Sequence, residues 1–505
     1  MRSDSAIRKC RSTDTLPLLI RSSKTGYASS TRPVSTIIHI KPLLRIKYEP
    51  MIRSISTKLR IVNWTVYNLF DKKTYIALFA GFFVFEVILS LWTGMQYDLD
   101  VWFNTGKWMQ QGINIYMPQN HVGYLPLWPF WCDLAYQVYL LLGSSLEVWR
   151  FTIKLPLIIA HLALAFAVGT FAASQFDRKT ARRTFLFVLT WSFFIFIGAM
   201  WGQINTVSCL LTFLAFYVVI LGRNKTGALL LGLAVTLKIY PLIVLPVFFA
   251  YILKKNNRKE AGKFTLFTIA VPVLFTGAVF AVFQWDIIYL FRTIFYWTPV
   301  YEANPVQIQG GGMNIWSFAS LLNLDISQVW ILRFVWIPIV AVTALYWLKK
   351  PKINDATFCL SIISMYLLFM ITYAWVPEQM FLDPLPFIFL LIIAYQPKRL
   401  FLYLLGIVQT LVYAFSLFNW GPFVFAPFLQ IFYPKVLTAI EPFNPSNPVI
   451  WTVRGVLGLS VSLGLGIFLL AVAKPSFLRA IVEKFHSQVK IKGKLHSGHW
   501  EEKLS

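Results

Sequence analysis

The sequence predicts an all-helical protein that crosses a membrane many times. Three observations carry this. Hydrophobic residues make up 57% of the 505 and charged residues only 13%, against about 25% charged in soluble domains. The mean hydropathy is +0.63. Apolar runs long enough to span a bilayer, roughly 17–25 residues, recur along the chain with Lys and Arg gathered between them. No ten-residue alternation of apolar and polar positions suggests a barrel.

The runs fall at 74–94, 151–173, 184–200, 205–222, 264–284, 331–348, 356–375, 379–395, 400–418 and 449–473. Basic residues punctuate them at Arg53 to Lys73, Arg178 to Arg183, Arg223 to Lys225, Lys254 to Lys263, Lys349 to Lys352, Lys398 to Arg399, and from Lys474 onward. Cytoplasmic loops carry the excess of Lys and Arg. With every basic cluster on that side, ten spans place both termini inside. Two segments then enter without crossing. One is 124–143, interrupted by Pro126 and Pro129. The other is 227–253, split at Lys238-Ile239-Tyr240-Pro241. Broken helices are tolerated at membrane depth where they line a cavity or are buried in protein. If both segments cross, the count is twelve and some basic loops change side.

Residues 1–73 form a basic leader, expected to be disordered. Its stretch 1–50 is rich in Ser, Thr, Arg and Lys and poor in acids, with no apolar core of a secretory signal. That stretch has the composition of an organellar transit peptide; Met51 is the alternative start. Residues 74–473 form the transmembrane domain and 474–505 a basic tail. The net charge of +25 follows the positive-inside pattern, which favours anionic lipid headgroups over nucleic acid as partner. Cys10, Cys132, Cys209 and Cys359 have no metal-binding spacing.

The polar residues that stand out lie in the expected outer loops. Asp98 and Asp100 follow the first span, where apolar Leu99, Phe103, Trp108 and Met109 suit a helix lying in the interface. Two positions apart, the acids do not share a helix face. One reading is helix capping; the other is a general base that takes a proton from an acceptor hydroxyl. Asp100 is slightly preferred. Gln203 and Asn205 occupy a tight turn after Trp201, either satisfying the backbone there or binding sugar hydroxyls with Trp201 as a stacking platform. Lys238 is a lone cation in an apolar run and snorkels to a headgroup or, at the helix break beside Tyr240, binds a phosphate. Arg292, in the outer segment 285–330, is the alternative cation. Glu378 and Asp383 lie near an outer helix start, where acids also meet the helix dipole. Gly310, Gly311 and Gly312 precede Asn314 in a long outer loop. Glu86, inside the first span, needs a partner or a proton. No nucleotide-binding fingerprint is present.

At these residues the chain resembles the polyprenyl-phosphate-sugar-dependent glycosyltransferases of the GT-C superfamily, in the mannosyltransferase-like branch. The resemblance rests on Asp98-Leu99-Asp100 with Gly112 to Tyr116, Trp201-Gly202-Gln203-Ile204-Asn205, Gly232 through Lys238-Ile239-Tyr240-Pro241, and Asn314. Glu378 resembles the family's late acidic residue. It spans about 74–395 and is strongest over 198–246. Leu125-Pro126-Leu127 departs from the consecutive prolines frequent in relatives, which leaves the path of 124–143 open.

The resemblance implies a GT-C-like bundle with interfacial and re-entrant helices on the outer face. It implies an integral membrane enzyme of inverting type, in the plasma membrane of a prokaryote or the endoplasmic reticulum of a eukaryote. The donor would be a polyprenyl-phosphate hexose, with mannose the first to consider. The acceptor would be a hydroxyl of a lipid, glycan or protein. Asp98 or Asp100 would act as base. Trp201, Gln203, Asn205, Lys238, Tyr240, Asn314 and Glu378 would bind substrate. No cofactor is expected beyond the donor; a divalent metal on Asp98 and Asp100 is the alternative, weakly supported because nearby oxygen or nitrogen ligands are few. The rival reading is a transporter or flippase for a lipid-linked sugar. Such proteins often carry paired repeats with matching broken helices, and no second copy of the Lys238 break is present.

Overall fold

A computed structural model describes residues 71–117, 120, 122–290, 312–322, 334–373, 376–443 and 447–474. Residues 1–70 of the leader, the tail beyond Lys474, Arg292, Gly310 and Gly311 lie outside these residues. Among the described residues every regular element is helical.

The chain opens with α1 (Lys72–Trp92), α2 (Gln96–Gln110), α3 (Leu127–Leu141) and α4 (Leu146–Gln175). Next come α5 (Arg178–Thr190) and α6 (Ser192–Ile195), which runs into a π-helical turn at Phe196–Trp201. Then follow α7 (Asn205–Ile220), α8 (Asn224–Leu237), α9 (Leu245–Lys255), α10 (Arg258–Phe283), α11 (Phe318–Leu321), α12 (Trp336–Lys349) and α13 (Asp355–Thr372). After a 3-10 turn at Glu378–Leu382 come α14 (Leu385–Phe389), α15 (Arg399–Leu417), α16 (Gly421–Phe432), α17 (Val436–Ile440) and α18 (Pro448–Ala473).

Short polar side chains start several of the long helices. Asp71, Ser145, Asp177, Asn257 and Asn354 each accept the backbone N–H three residues on, satisfying a group the helix itself leaves orphaned. Small residues let helices approach, as packing inside a membrane requires. A Cβ at Gly232 of α8 would stand 2.7 Å from Val271 Cβ of α10, and one at Gly106 of α2 would run into the Cys132 carbonyl of α3.

Among the described residues eight helices are long and apolar enough to cross a membrane: Lys73–Trp92, Leu146–Gln175, Arg178–Trp201, Arg258–Phe283, Asp355–Thr372, Glu378–Tyr395, Arg399–Leu417 and Pro448–Ala473. All eight coincide with expected spans. The other two expected spans, 205–222 and 331–348, appear as the shorter helices α7 and α12, of 16 and 14 residues. Helix α7 is held short at both ends by turns at Gly202 (φ +101°) and Gly222 (φ +77°). The first three positions of the second run, 331–333, lie outside the described residues.

The two segments read as non-crossing form short helices. Helix α3 begins directly after Pro126 and packs on α2. The 224–255 segment breaks at Lys238, whose backbone is extended (φ −150°, ψ 133°), and continues through a 3-10 turn at Tyr240–Val244 into α9. It enters and leaves at one end of the bundle: Arg223 N donates to Val218 O at 2.8 Å and Lys255 Nζ to Ile220 O at 3.0 Å. At roughly 1.5 Å per residue, α8 is about 21 Å long, short of a ~30 Å hydrocarbon core.

The basic turns share that end. Tyr251 donates to Asp355 at 2.7 Å, and Phe176 stacks edge-on to Tyr395 with centroids 5.0 Å apart. The carboxyl ends of α1, the π-helical turn, α8 and α13 meet at the other end. Glu86 has its partner in mid-bundle: His161 Nδ1 lies 2.7 Å from Glu86 Oε1, His161 Nε2 lies 2.9 Å from Val188 O, and both side chains are fully buried.

The arrangement makes a sidedness prediction. With Cys10 replaced by serine, Lys107→Cys and Lys254→Cys are expected to react with an impermeant maleimide from opposite sides of a sealed vesicle. Both side chains are exposed, at opposite ends of the bundle. Reaction of both from one side would reject the topology.

Candidate functional site

The site is built on the break between the π-helical turn and α7. The wide turn at Phe196–Trp201 ends at Gly202, whose left-handed φ of +101° favours glycine. Backbone N–H groups of Gly202 and Gln203 both return to Ile197 O, at 3.1 and 2.9 Å. The turn therefore projects Trp201 and Gln203 toward the start of α2. There Trp201 Nε1 and Gln203 Nε2 each donate to Asp98 Oδ2 at 2.7 Å. No side chain caps α2, so the capping reading of Asp98 is not realised.

Asp98 is half-buried. Burial pushes its carboxyl above the usual range, while Trp201, Lys238 and Gln203 pull it back by favouring the carboxylate. Asp100 sits on another face of α2, exposed, and accepts from Gln96 Nε2 at 2.7 Å. The two acids of the first loop therefore occupy different surroundings, as their spacing predicts.

Asn205, at the start of α7, is a bridge. Its Oδ1 accepts from Lys238 Nζ at 2.7 Å and its Nδ2 donates to Asp383 Oδ2 at 3.1 Å. The Lys238 ammonium also lies 5.9 Å from the Tyr124 ring centroid and 5.5 Å from that of Tyr240, within cation–π range. Lys238 is within electrostatic reach of both Asp98 and Asp383. The first outer loop contributes here: the buried Tyr116 hydroxyl donates to the Tyr124 carbonyl at 3.0 Å.

A third group lies beside these. Asn419 Nδ2 donates to both oxygens of Glu378, at 3.0 and 2.7 Å, and both residues are buried. Arg454 of α18 is within electrostatic reach of Glu378, as is Asp98. Asn314 stands apart from this chemistry. It is buried and donates to Tyr373 O at 2.9 Å, tying the 312–322 segment to the end of α13.

The structure thus joins Asp98 with Trp201 and Gln203, and Asn205 with Lys238. Glu378 is brought near through Asn419 and Arg454, and Asp100 stays outside the bonded groups. Trp201 is only 3% exposed, so it serves as a donor to Asp98 and presents no open ring face. Asp383, Asn419, Arg454 and Lys154 join the site's surroundings without having been singled out as site residues. The signal that marks Lys238, a lone cation in an apolar run, also marks Lys154 and Arg454. Nothing in the sequence marks Asn419.

Around the site, the buried acceptors without a partner among the described residues include Gln203 Oε1, Asp383 Oδ1 and Asn419 Oδ1. Burying such a group unpaired costs about 1–3 kcal/mol. A ligand rich in hydroxyl donors would satisfy them. No three His, Cys, Asp or Glu side chains cluster as metal ligands among the described residues.

Residues 138–372 match the model of glycosyltransferase family 87. That family is a GT-C-type family of polyprenyl-phosphate-sugar glycosyltransferases. The match covers a little under half of the chain, including the Trp201–Asn205 turn, the Lys238 break and Asn314; Asp98 and Glu378 lie outside it. A comparison with curated proteins returns no match. The match, the helical bundle and the eight candidate spans among the described residues together support an integral membrane glycosyltransferase.

Proposed function

We propose that the protein transfers a hexose from a polyprenyl-phosphate sugar to a hydroxyl acceptor, with inversion, at the outer or lumenal face. Asp98 is the general base. The observation that carries this is the bonding of Asp98: Trp201 and Gln203 both occupy Oδ2, and no described residue bonds Oδ1. A base must reach the proton it takes, and Oδ1 is the oxygen left to do so. Lys238 binds the lipid phosphate, and Asn205 holds its ammonium in place. A cation held there stabilises the phosphate as it leaves with the electron pair of the broken glycosidic bond. The unpaired acceptors of Gln203, Asp383 and Asn419 suit sugar hydroxyls.

The branch that the motifs resemble makes mannose the first sugar to test. The gathering of basic turns at the opposite end of the bundle supports a site outside the cytoplasm, since Lys and Arg favour the cytoplasmic side. The test uses purified protein in liposomes with radiolabelled polyprenyl-phosphate mannose, glucose and galactose and a lipid-extract acceptor. One of the three is expected to label product, with the opposite anomeric configuration. Labelling from a nucleotide sugar alone would reject the donor class, and retained configuration would reject the single-displacement mechanism.

A further inference from the structure

Lys154 lies two turns into α4 and is fully buried. Among the described residues no carboxylate pairs with it. Its ammonium has three N–H donors, and all three are used on backbone carbonyls: Thr93 O at 2.6 Å, Met200 O at 2.8 Å and Ser90 O at 3.2 Å. Two of these belong to the end of α1. The third belongs to the π-helical turn, directly before Trp201. Helix carboxyl ends leave carbonyls without intrahelical partners and carry partial negative charge, so two such ends stabilise one buried cation.

The Met200 carbonyl has a second polar neighbour. Thr93 Oγ lies 3.1 Å from it, with its single hydroxyl proton shared with Leu89 O at 2.6 Å. The lysine stem fills the space beneath the turn: a Cβ at Gly202 would stand 3.2 Å from Lys154 Cε and 3.3 Å from Trp102 Cζ3. A lysine that only capped α1 would need neither Met200 nor this packing.

We propose that Lys154 is a positioning residue for the Asp98 site. By holding the Met200 carbonyl, it fixes the turn that aims Trp201 and Gln203 at one oxygen of Asp98. The functional meaning of this role rests on Asp98 being the base. The ionisable groups facing Asp98 are Tyr97, Tyr124, Lys238 and Glu378. None of them bonds Lys154, so its influence passes through the turn. Both N–H groups favour the carboxylate form. Releasing them leaves burial to dominate, and Asp98 then holds its proton to higher pH.

The test reads that proton directly. Dicyclohexylcarbodiimide modifies protonated carboxyls in apolar surroundings. Modification of Asp98 in the full chain in detergent is followed by peptide mass spectrometry against pH, with Asp98→Asn as the blank. In Lys154→Met the midpoint is expected to rise by about one pH unit. In Thr93→Val, which keeps shape and removes the shared hydroxyl proton, it rises by less. Transfer assays with the active polyprenyl-phosphate hexose should show a lower kcat at an unchanged donor KM. A folded Lys154→Met protein with the wild-type midpoint would overturn the proposal, whatever its melting temperature. If Lys154→Met does not fold, Lys154→Gln, one atom shorter and unable to reach all three carbonyls, takes its place, and an unchanged midpoint there overturns it. The modification needs no donor, so positioning is decided even if Asp98→Asn proves fully active and the base assignment falls.

Discussion

Asp98→Asn is expected to lower sugar transfer by about 10²–10⁴-fold, the range that a positioned general base contributes, while Asp100→Asn leaves it nearly unchanged. Asparagine keeps the size of Asp98, and its carbonyl oxygen can still accept from Trp201 and Gln203, which now bond Oδ2. What it lacks is a site for the acceptor's proton. Asp100 is exposed and bonded to Gln96, so its replacement removes a surface contact. The loss should fall on kcat, with donor binding retained.

The pH dependence has a definite sign. Burial raises the Asp98 pKa above the ordinary carboxylate range, partly offset by Trp201, Lys238 and Gln203. A base works deprotonated, so transfer should rise with pH through that pKa and fail on the acid side. The residual activity of Asp98→Asn should lack this limb. Initial rates from pH 4 to 9 decide it. Full activity in Asp98→Asn, or an equal loss in Asp100→Asn, would remove Asp98 from the role.

Lys238→Met is expected to weaken donor binding by about 10- to 100-fold. Hydrogen bonds to charged groups contribute ~1.5–3 kcal/mol, and each 1.4 kcal/mol is tenfold in affinity. The ammonium is fixed before any donor arrives, by Asn205 at 2.7 Å and by the rings of Tyr124 and Tyr240. Methionine preserves the length and apolar stem and removes the charge. It also leaves Asp383, bonded to Asn205 at 3.1 Å, without its nearby cation, so some loss of melting temperature should accompany the change. Equilibrium binding of a radiolabelled polyprenyl phosphate to protein in nanodiscs measures the effect. The same assay should show near-normal binding in Asp98→Asn. Undiminished binding in a folded Lys238→Met protein would move the phosphate contact elsewhere, with Arg454 the next cation to test.

The fold was legible because the membrane restricts it. Backbone groups in hydrocarbon must bond within their own segment, so apolar length translates directly into helices. All eight long helices coincide with apolar runs read from the chain. The break at Lys238 was legible for a related reason: a cation and a proline inside an apolar run are incompatible with an uninterrupted span. Less legible were the limits of α7. Its run reads as a span, but glycine turns at Gly202 and Gly222 hold it to 16 residues.

For the site, the sequence by itself determined which polar residues stand where only apolar ones are cheap: Asp98 after the first span, the Trp201–Asn205 turn, Lys238 and Glu378. It did not separate Asp98 from Asp100, which have the same chemistry two positions apart. Only the tertiary structure did so, by placing Trp201 and Gln203, more than a hundred positions later, against one of them. Asn419 on Glu378, Asp383 on Asn205 and Lys154 on Met200 are likewise partnerships between distant segments. Local sequence encodes burial and helix ends, because these depend on a residue and its near neighbours. Hydrogen-bond partners depend on which helices pack together and at what register, and that is decided by side-chain fit across the whole bundle.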